Sequence, residues 1–321
     1  MALMAALGMG LALCGPVRAQ EHGPGLYLVP VGHTVGVKLF ARGIVVAKLP
    51  QGETPARACG LRAGDVIETC GGVPITSTEQ FRALLQEKGK DGTELEVRRE
   101  EKSMTVSVAP KANEEGEYGI GAWVRDSMAG IGTMTYYDPQ SGEFGALGHG
   151  ITDVDTAQLM PFSKGSILPS TVKAVKRGGV GSAGELRGDF DLSRDLGPLR
   201  ANTNRGIFGS LRETGDLGPA LQVAEPRVGS ALVRSNVSGD EVREYEIEIL
   251  KTRLGDPDGR ELLILVKDPE LLSKTGGIVQ GMSGSPILQD GKFVGAVTHV
   301  LLNDPRRGYG ISMDSMLKAA K

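Results

Sequence analysis

The stretch Gly281-Met282-Ser283-Gly284-Ser285-Pro286 lies between Thr275-Gly276-Gly277-Ile278-Val279 and the apolar run Phe293-Val294-Gly295-Ala296-Val297. Glycines and a proline at this spacing mark a tight turn between two extended segments, which ties this end of the chain to β architecture. A glycine just before a serine permits backbone angles closed to other residues, and these angles can turn two amide N–H groups to one side. Amides so placed hold a developing oxyanion. Ser283 is therefore the candidate nucleophile, and the amides of Gly281 and Ser283 are the candidate oxyanion hole. The plainer reading of the same six residues is a Gly/Ser turn without chemistry.

Composition agrees with a β-rich chain. Forty-seven glycines against seven Phe, six Tyr and one Trp point to many tight turns and a small-residue β core rather than a helical bundle. A length of 321 residues suits about two domains, and a net charge of −3 gives no electrostatic case for nucleic acid or an anionic membrane surface. Residues 1–19 are apolar and end in small residues before Gln20, but Gly15-Pro16 breaks the run short of the roughly 18 residues that span a bilayer. A signal peptide cleaved after Ala19 fits this segment, or a short membrane anchor, since no Lys or Arg precedes the apolar run. Bulky Leu13 argues against lipid attachment at Cys14. Export would leave Cys59 and Cys70, as a disulfide or as two buried thiols.

Residues 28–110 read as a first domain. Val35-Gly36-Val37-Lys38-Leu39-Phe40 and Gly43-Ile44-Val45-Val46-Ala47-Lys48 are β-branched strands, and Thr54-Pro55-Ala56-Arg57-Ala58-Cys59 is a short helix stopped by Gly60. Ser77-Thr78-Glu79-Gln80 has the spacing of a capping box and starts a helix with Phe81, Leu84 and Leu85 on one face. Leu95 and Val97, then Met104, Val106 and Val108, alternate as a closing hairpin. With Pro55-Ala56, Ala58, Gly60-Leu61, Gly64-Asp65 and Ile67 in this order, the stretch resembles a PDZ domain. Such domains take an extended peptide as an added strand, and the expected groove runs along Val35, Gly36, Val37 and Leu39 with Phe81 opposite, although no Gly-Leu-Gly-Phe string precedes it. A purely bracing role for the module is the alternative.

Residues 111–117 are polar, charged and non-periodic, and read as the linker to a second domain at 118–321. Asp138-Pro139-Gln140-Ser141-Gly142 supplies a hairpin turn into Phe144-Gly145-Ala146-Leu147-Gly148-His149-Gly150. A hydroxyl nucleophile needs a base that titrates near neutrality, and imidazole is the side chain suited to this. His22 and His33 precede or open the first domain, which leaves His149 and His299. His299 lies on the strand Val294–Val300, where a core histidine bonded to backbone would be ordinary. His149, between two glycines, has no packing reason to be there and is the preferred base.

The second domain resembles the peptidase domain of the SpoIVB family, named for a stage IV sporulation protein. The matching stretches include Trp123 to Thr133, Phe144-Gly-Ala-Leu-Gly-His149-Gly150, Asp153-Val-Asp-Thr156, Gly276 to Pro286 and Asn303 to Gly310. The resemblance implies a mainly β chain: an N-terminal PDZ-like α+β module, then a Gly-rich β-barrel or sandwich serine peptidase domain of trypsin-like character. It implies an exported serine endopeptidase of sporulating bacteria, acting between the two forespore membranes. Such an enzyme cleaves itself and clips a membrane-bound regulator, which starts intramembrane processing of a sigma-factor precursor. It also assigns Asp268 as the triad acid. On the residues alone Asp155 is the runner-up, followed by Asp153, and Asp268 before Pro269 reads equally as a helix cap. The expected partners are protein or peptide substrates, a membrane-bound regulatory complex, and a peptide segment on the PDZ module, which includes the chain's own. No cofactor is expected, and the absence of a His-Glu-x-x-His or Cys-pair pattern disfavours a metal site. The Gly178–Gly188 run lacks a Gly-Lys-Ser/Thr end and reads as a loop, not a phosphate cradle. The competing class is an exported PDZ scaffold whose β domain has lost catalysis.

Overall fold

The computed structural model describes residues 25–321, so the expectations for the apolar leader, Cys14 and His22 fall outside the described residues. The chain opens with β1 (Tyr27–Pro30) and β2 (Thr34–Lys48). A small module follows: α1 (Pro55–Ala58), β3 (Val66–Cys70), β4 (Val73–Pro74), α2 (Thr78–Lys88), β5 (Thr93–Arg99) and β6 (Lys102–Val108), then the short strands β7 (Lys111–Ala112) and β8 (Tyr118–Gly119). β9 (Trp123–Tyr137), β10 (Glu143–Ala146), β11 (Phe162–Lys176), β12 (Glu185–Phe190), β13 (Gly197–Thr203) and β14 (Gly206–Ser210) come next. After β15 (Leu221–Gln222), the last part holds β16 (Gly229–Ser238), β17 (Glu241–Thr252), β18 (Leu262–Val266), α3 (Pro269–Thr275), β19 (Pro286–Gln289), β20 (Lys292–Val300), β21 (Arg307–Ser312) and α4 (Met313–Lys318).

These strands close into two barrels of six. In the first, β9, β10, β14, β13, β11 and β2 follow one another, and the β2–β9 pairing seals the ring. In the second the order is β16-β17-β18-β21-β20-β19. Alternation of buried and half-exposed residues along Leu262–Val266 shows why: a strand with one wet face buries every second side chain. Val35, Val37, Phe144, Ile167 and Ile207 fill the first barrel. Val233, Ile249, Ile264, Ile287 and Val297 fill the second. Leu28, Tyr136 and Phe208 of one barrel pack with Phe293, Ile311 and Met316 of the other, which fixes their mutual orientation. Glu261, buried in this seam, accepts from Ser312 (2.9 Å to its amide) and Gly255 (2.9 Å) and meets Arg205 of the first barrel at 3.4 Å. Burying a carboxylate requires such partners.

The module forms its own core around Ile44, Val46, Ile67, Phe81, Leu85 and Leu95. Its helix starts are those expected: Thr54 caps α1, and Ser77 accepts from the Gln80 amide to cap α2. The domain boundaries need correction. Residues 34–41 are not part of the module, because β2 pairs with β9 on one side and β11 on the other and its Val35 and Val37 enter the first barrel. Nor is 111–117 a loose linker: Lys111 pairs with Gly119, and the Asn113 side chain accepts from the Glu115 and Glu117 amides. The module is an insertion between two adjacent barrel strands. Cys59 and Cys70 are free thiols within it, one half-buried and one buried.

Candidate active site

A cleft of about 540 Å³ opens between the barrels, lined by His149 from the first and Ser283 and His299 from the second. The turn that carries Ser283 has positive φ at Gly281 (+98°) and Gly284 (+95°), so glycine is required at both. A Cβ on Gly284 would also lie 2.2 Å from the Thr133 carbonyl oxygen. Thr133 holds the turn from below, with its hydroxyl donating to the Gly281 carbonyl (2.7 Å) and its amide to the Ser283 carbonyl (2.9 Å). The flanking peptide planes are fixed too. Leu186 N–H donates to Gln280 O (2.8 Å) and Ser285 N–H to Met282 O (2.9 Å), so the N–H groups of Gly281 and Ser283 point the opposite way. Among the described residues neither amide has a backbone acceptor. Two oriented, unspent donors beside a serine hydroxyl are what an oxyanion requires. Ser285, by contrast, is fully buried and bonded to Ser235 (3.0 Å).

His149 follows β10 on a strained turn, with Leu147 at φ 69° and Gly148 at φ 67°. Both flanking glycines are needed, since a Cβ on Gly148 would press on Thr298 and one on Gly150 would lie 2.5 Å from the Thr203 carbonyl oxygen. The imidazole Nδ1 lies 2.8 Å from the Gly150 carbonyl oxygen. A carbonyl only accepts, so Nδ1 carries the proton and Nε2 is left with the basic lone pair. Burial lowers the His149 pKa below the usual imidazole value. His299 is not a core histidine: it is exposed to the cleft, its ring centroid 5.0 Å from that of His149. Burial first, then the charges of His149 and Arg260, push its pKa down to about 4. The Ser283 hydroxyl donates to the Thr298 carbonyl (2.7 Å) in this structure and is not bonded to either imidazole.

The profile of the SpoIVB peptidase S55 family matches residues 116–317, and a PDZ domain profile matches residues 49–99. The chain belongs to the SpoIVB peptidase S55 family. It is accordingly a serine endopeptidase with a PDZ domain, and its substrates are proteins or peptides. No curated protein matches it in sequence. Among solved structures, the PDZ domain of an SdrC-like protein from Listeria monocytogenes is 24% identical, with 26% of this chain and 87% of that one covered at a TM-score of 0.24. The active form of the Rv3671c protease from M. tuberculosis is 15% identical (60% and 73% covered, TM-score 0.34). A thermostable serine protease, AL20, from an extremophilic microorganism is 13% identical (65% and 92% covered, TM-score 0.34).

For this SpoIVB-family chain, the acids lie elsewhere than the triad expectation places them. Asp268 is the N-cap of α3, its carboxylate accepting from the Leu271 amide (2.8 Å), and it does not line the cleft. The Asp-Pro pair explains this, because proline suits the first helical position and aspartate the cap before it. Asp155 pairs with Arg125 (2.9 Å), and buried Asp153 accepts from the Asp155 and Thr156 amides while pairing with the same arginine. Among the described residues no carboxylate is bonded to His149; the Nδ1 partner is the Gly150 carbonyl.

The groove beside Phe81 is also not the one expected. Both edges of Val35–Leu39 are hydrogen-bonded within the barrel, so Val35, Gly36, Val37 and Leu39 cannot receive an added strand. Phe81 instead borders a groove with Thr78 and Arg82 of α2 on one wall and Tyr118, Gly119 and Ile120 on the other. Tyr118-Gly119-Ile120-Gly121 leads into β9, which pairs with the module half of β2 (Val46 with Val124). The signal was present as two glycines around an isoleucine. It lay beyond the segment assigned to the module, and chain order hid it.

Proposed function

We propose that Ser283 and His149 act as a dyad, with the Gly150 carbonyl in the orienting role an aspartate fills elsewhere. Rotation about the Ser283 side chain releases Oγ from the Thr298 carbonyl and turns it toward Nε2. Oγ then attacks the substrate carbonyl carbon as Nε2 takes its proton. The oxyanion forms against the Gly281 and Ser283 amides, and the imidazolium returns the proton to the leaving amine. Water repeats the sequence on the acyl-enzyme and frees Ser283. The observation that carries this reading is the pair of unspent amides beside Ser283 in the cleft that holds His149. Within the family's role, we place the enzyme outside the cytoplasm, in the space between the two forespore membranes. There it cleaves itself near its N-terminus and clips a membrane-bound regulator whose loss starts intramembrane processing of a sigma-factor precursor. The order of module and peptidase and the length of the family match support that role.

A fluorophosphonate probe tests the chemistry: it should label Ser283 in the native protein and leave Ser283→Ala unlabelled. A folded native protein that stays unlabelled would favour the inert scaffold. N-terminal shortening during storage, absent in Ser283→Ala, is the expected sign of self-cleavage.

A further inference from the structure

β9 borders both the groove of the module and the cleft of the barrels. One edge of this strand is taken by β2, at Trp123 to Arg125 and again at Ser127 to Thr133, and by β1 at Tyr136 and Tyr137; between the two β2 stretches Asp126 is unpaired and its carboxylate accepts from the Thr78 amide of α2 (2.8 Å). The opposite edge is filled only at its far end. There β10 pairs with Met134 to Tyr137, while the Thr133 amide donates to Ser283 O and the Thr133 carbonyl accepts from Leu147 N–H. Successive residues of a strand turn their backbone groups to opposite edges. The next residues to face this edge are therefore Ile131 and then Ala129, beside the nucleophile. Among the described residues no backbone hydrogen bond occupies the edge from Trp123 to Ile131. Ala129 and Gly130 are exposed, and Met128 to Ile131 form one wall of the cleft.

The start of the same strand borders the module groove. Gly121 has φ +65°, and the Gly121 and Ala122 amides have no backbone acceptor among the described residues. Arg82 and Lys111 border this groove without an ion pair among the described residues, against a single acid, Glu117. Free amides and basic side chains at a strand start suit a carboxylate, and the one main-chain carboxylate of a peptide is its C-terminus.

We propose that one extended peptide occupies both places, running antiparallel to β9, with its scissile bond at Ser283 and its C-terminal carboxylate at Gly121 and Ala122. The polarity is consistent: β9 runs toward Ser283, so an antiparallel strand leaving the cleft delivers its C-terminus to the module. The protease is then a ruler. From Ile131 back to Gly121 the strand covers about ten residues, roughly 33 Å at about 3.3 Å each, so the cut falls about ten residues from the docked chain end. The proposal rests on Ser283 being the nucleophile, and it adds a chain-end requirement to that chemistry.

The test is digestion by the full-length protein of a mixed library of long proteome-derived peptides, once with free C-termini and once after C-terminal amidation, with every cut site read by mass spectrometry. Cuts should accumulate about ten residues before the free C-terminus, and amidation should lower that peak by about tenfold, a loss fitting one charge-assisted clasp. Cutting set only by local sequence, at all distances and indifferent to amidation, would overturn the ruler and leave the peptidase intact. Failure to cut any peptide would overturn both. Because amidation alters the substrate and not the protein, a folding defect cannot imitate the expected result.

Discussion

The two barrels have six strands each, but the chain builds them in different ways. The second is assembled from residues 229–312 in one pass, with β16–β17 and β20–β21 joined through short turns. The first is interrupted: β2 is separated from its partner β9 by the whole module, and both strands continue into that module. One end of β2 supplies Val35 and Val37 to the barrel core and the other supplies Ile44 and Val46 to the module core. A strand shared between two cores is a rigid joint. The module therefore shares the framework that carries His149 and Thr133, whereas the second barrel contributes Ser283 from a turn of its own.

The largest effect expected from this difference is on folding. Deleting residues 28–110 removes β2 and nearly all of β1 and leaves the first barrel open between β9 and β11, so no soluble peptidase should form. Replacing residues 50–117 with a short Gly-rich link keeps both strands and should preserve a probe-reactive Ser283. Probe labelling after the larger deletion would show that the first barrel closes without β2. Next come the two chemical contributions. Ser283→Ala and His149→Ala should each lower kcat by on the order of 10⁶, with unchanged thermal unfolding, because the nucleophile and base act as a unit. Near-normal turnover in His149→Ala would transfer the base to His299.

Third in size is the turn between the barrels. Gly284→Ala places a Cβ against Thr133 and Leu147 of the first barrel at positive φ, and should cost about 1–3 kcal/mol and about 10²-fold in kcat as the oxyanion donors shift. Gly291→Ala, at φ +71° in open space within the second barrel, should cost only about 1 kcal/mol and leave kcat alone. Equal kcat losses would mean that contact with the first barrel does not govern the turn.

Acid should act on the same seam. His299 titrates near 6.5 when unfolded and near 4 when folded, and His149 is lowered in the same direction. The unfolded chain then binds more protons, so this contribution to stability is complete above about pH 6.5 and is lost as pH falls toward 4. His299→Gln should flatten the unfolding-versus-pH curve in that window; an unaltered curve would remove His299 as a cause. The smallest effect is the most discriminating. Asp268→Asn should keep full activity and change stability by only a few tenths of a kcal/mol, since asparagine caps a helix as well as aspartate. A drop on the order of 10⁴ in rate would restore Asp268 as the acid that orients His149.

Much of the site was legible because its demands are local. A serine framed by Gly281 and Gly284 and a histidine between two glycines are written within a few residues, and the positive φ at Gly148, Gly281 and Gly284, with close backbone contacts at Gly284, is why glycine stands there. The capping residues Thr54 and Ser77 and the alternation at Leu95 and Val97 were equally local. The family stretch around Asp268 pointed to catalysis, yet the Asp-Pro signal for a helix cap was in the same residues, and the cap is what the backbone adopts.

By itself, then, the sequence determined the turns, the caps, the strand periodicity, and the serine and histidine that line one cleft. These follow from the φ range of glycine, the hydrogen bonds of helix ends and the two-residue period of a strand. Only the tertiary structure decided that Val35 to Leu39 lie inside a barrel, that the groove beside Phe81 is walled by Tyr118 to Gly121, and that a main-chain carbonyl faces His149. Each of these depends on which edge of a strand is already hydrogen-bonded. An extended segment presents the same residues whether its edges are free or filled, so that choice is made by partners distant in sequence.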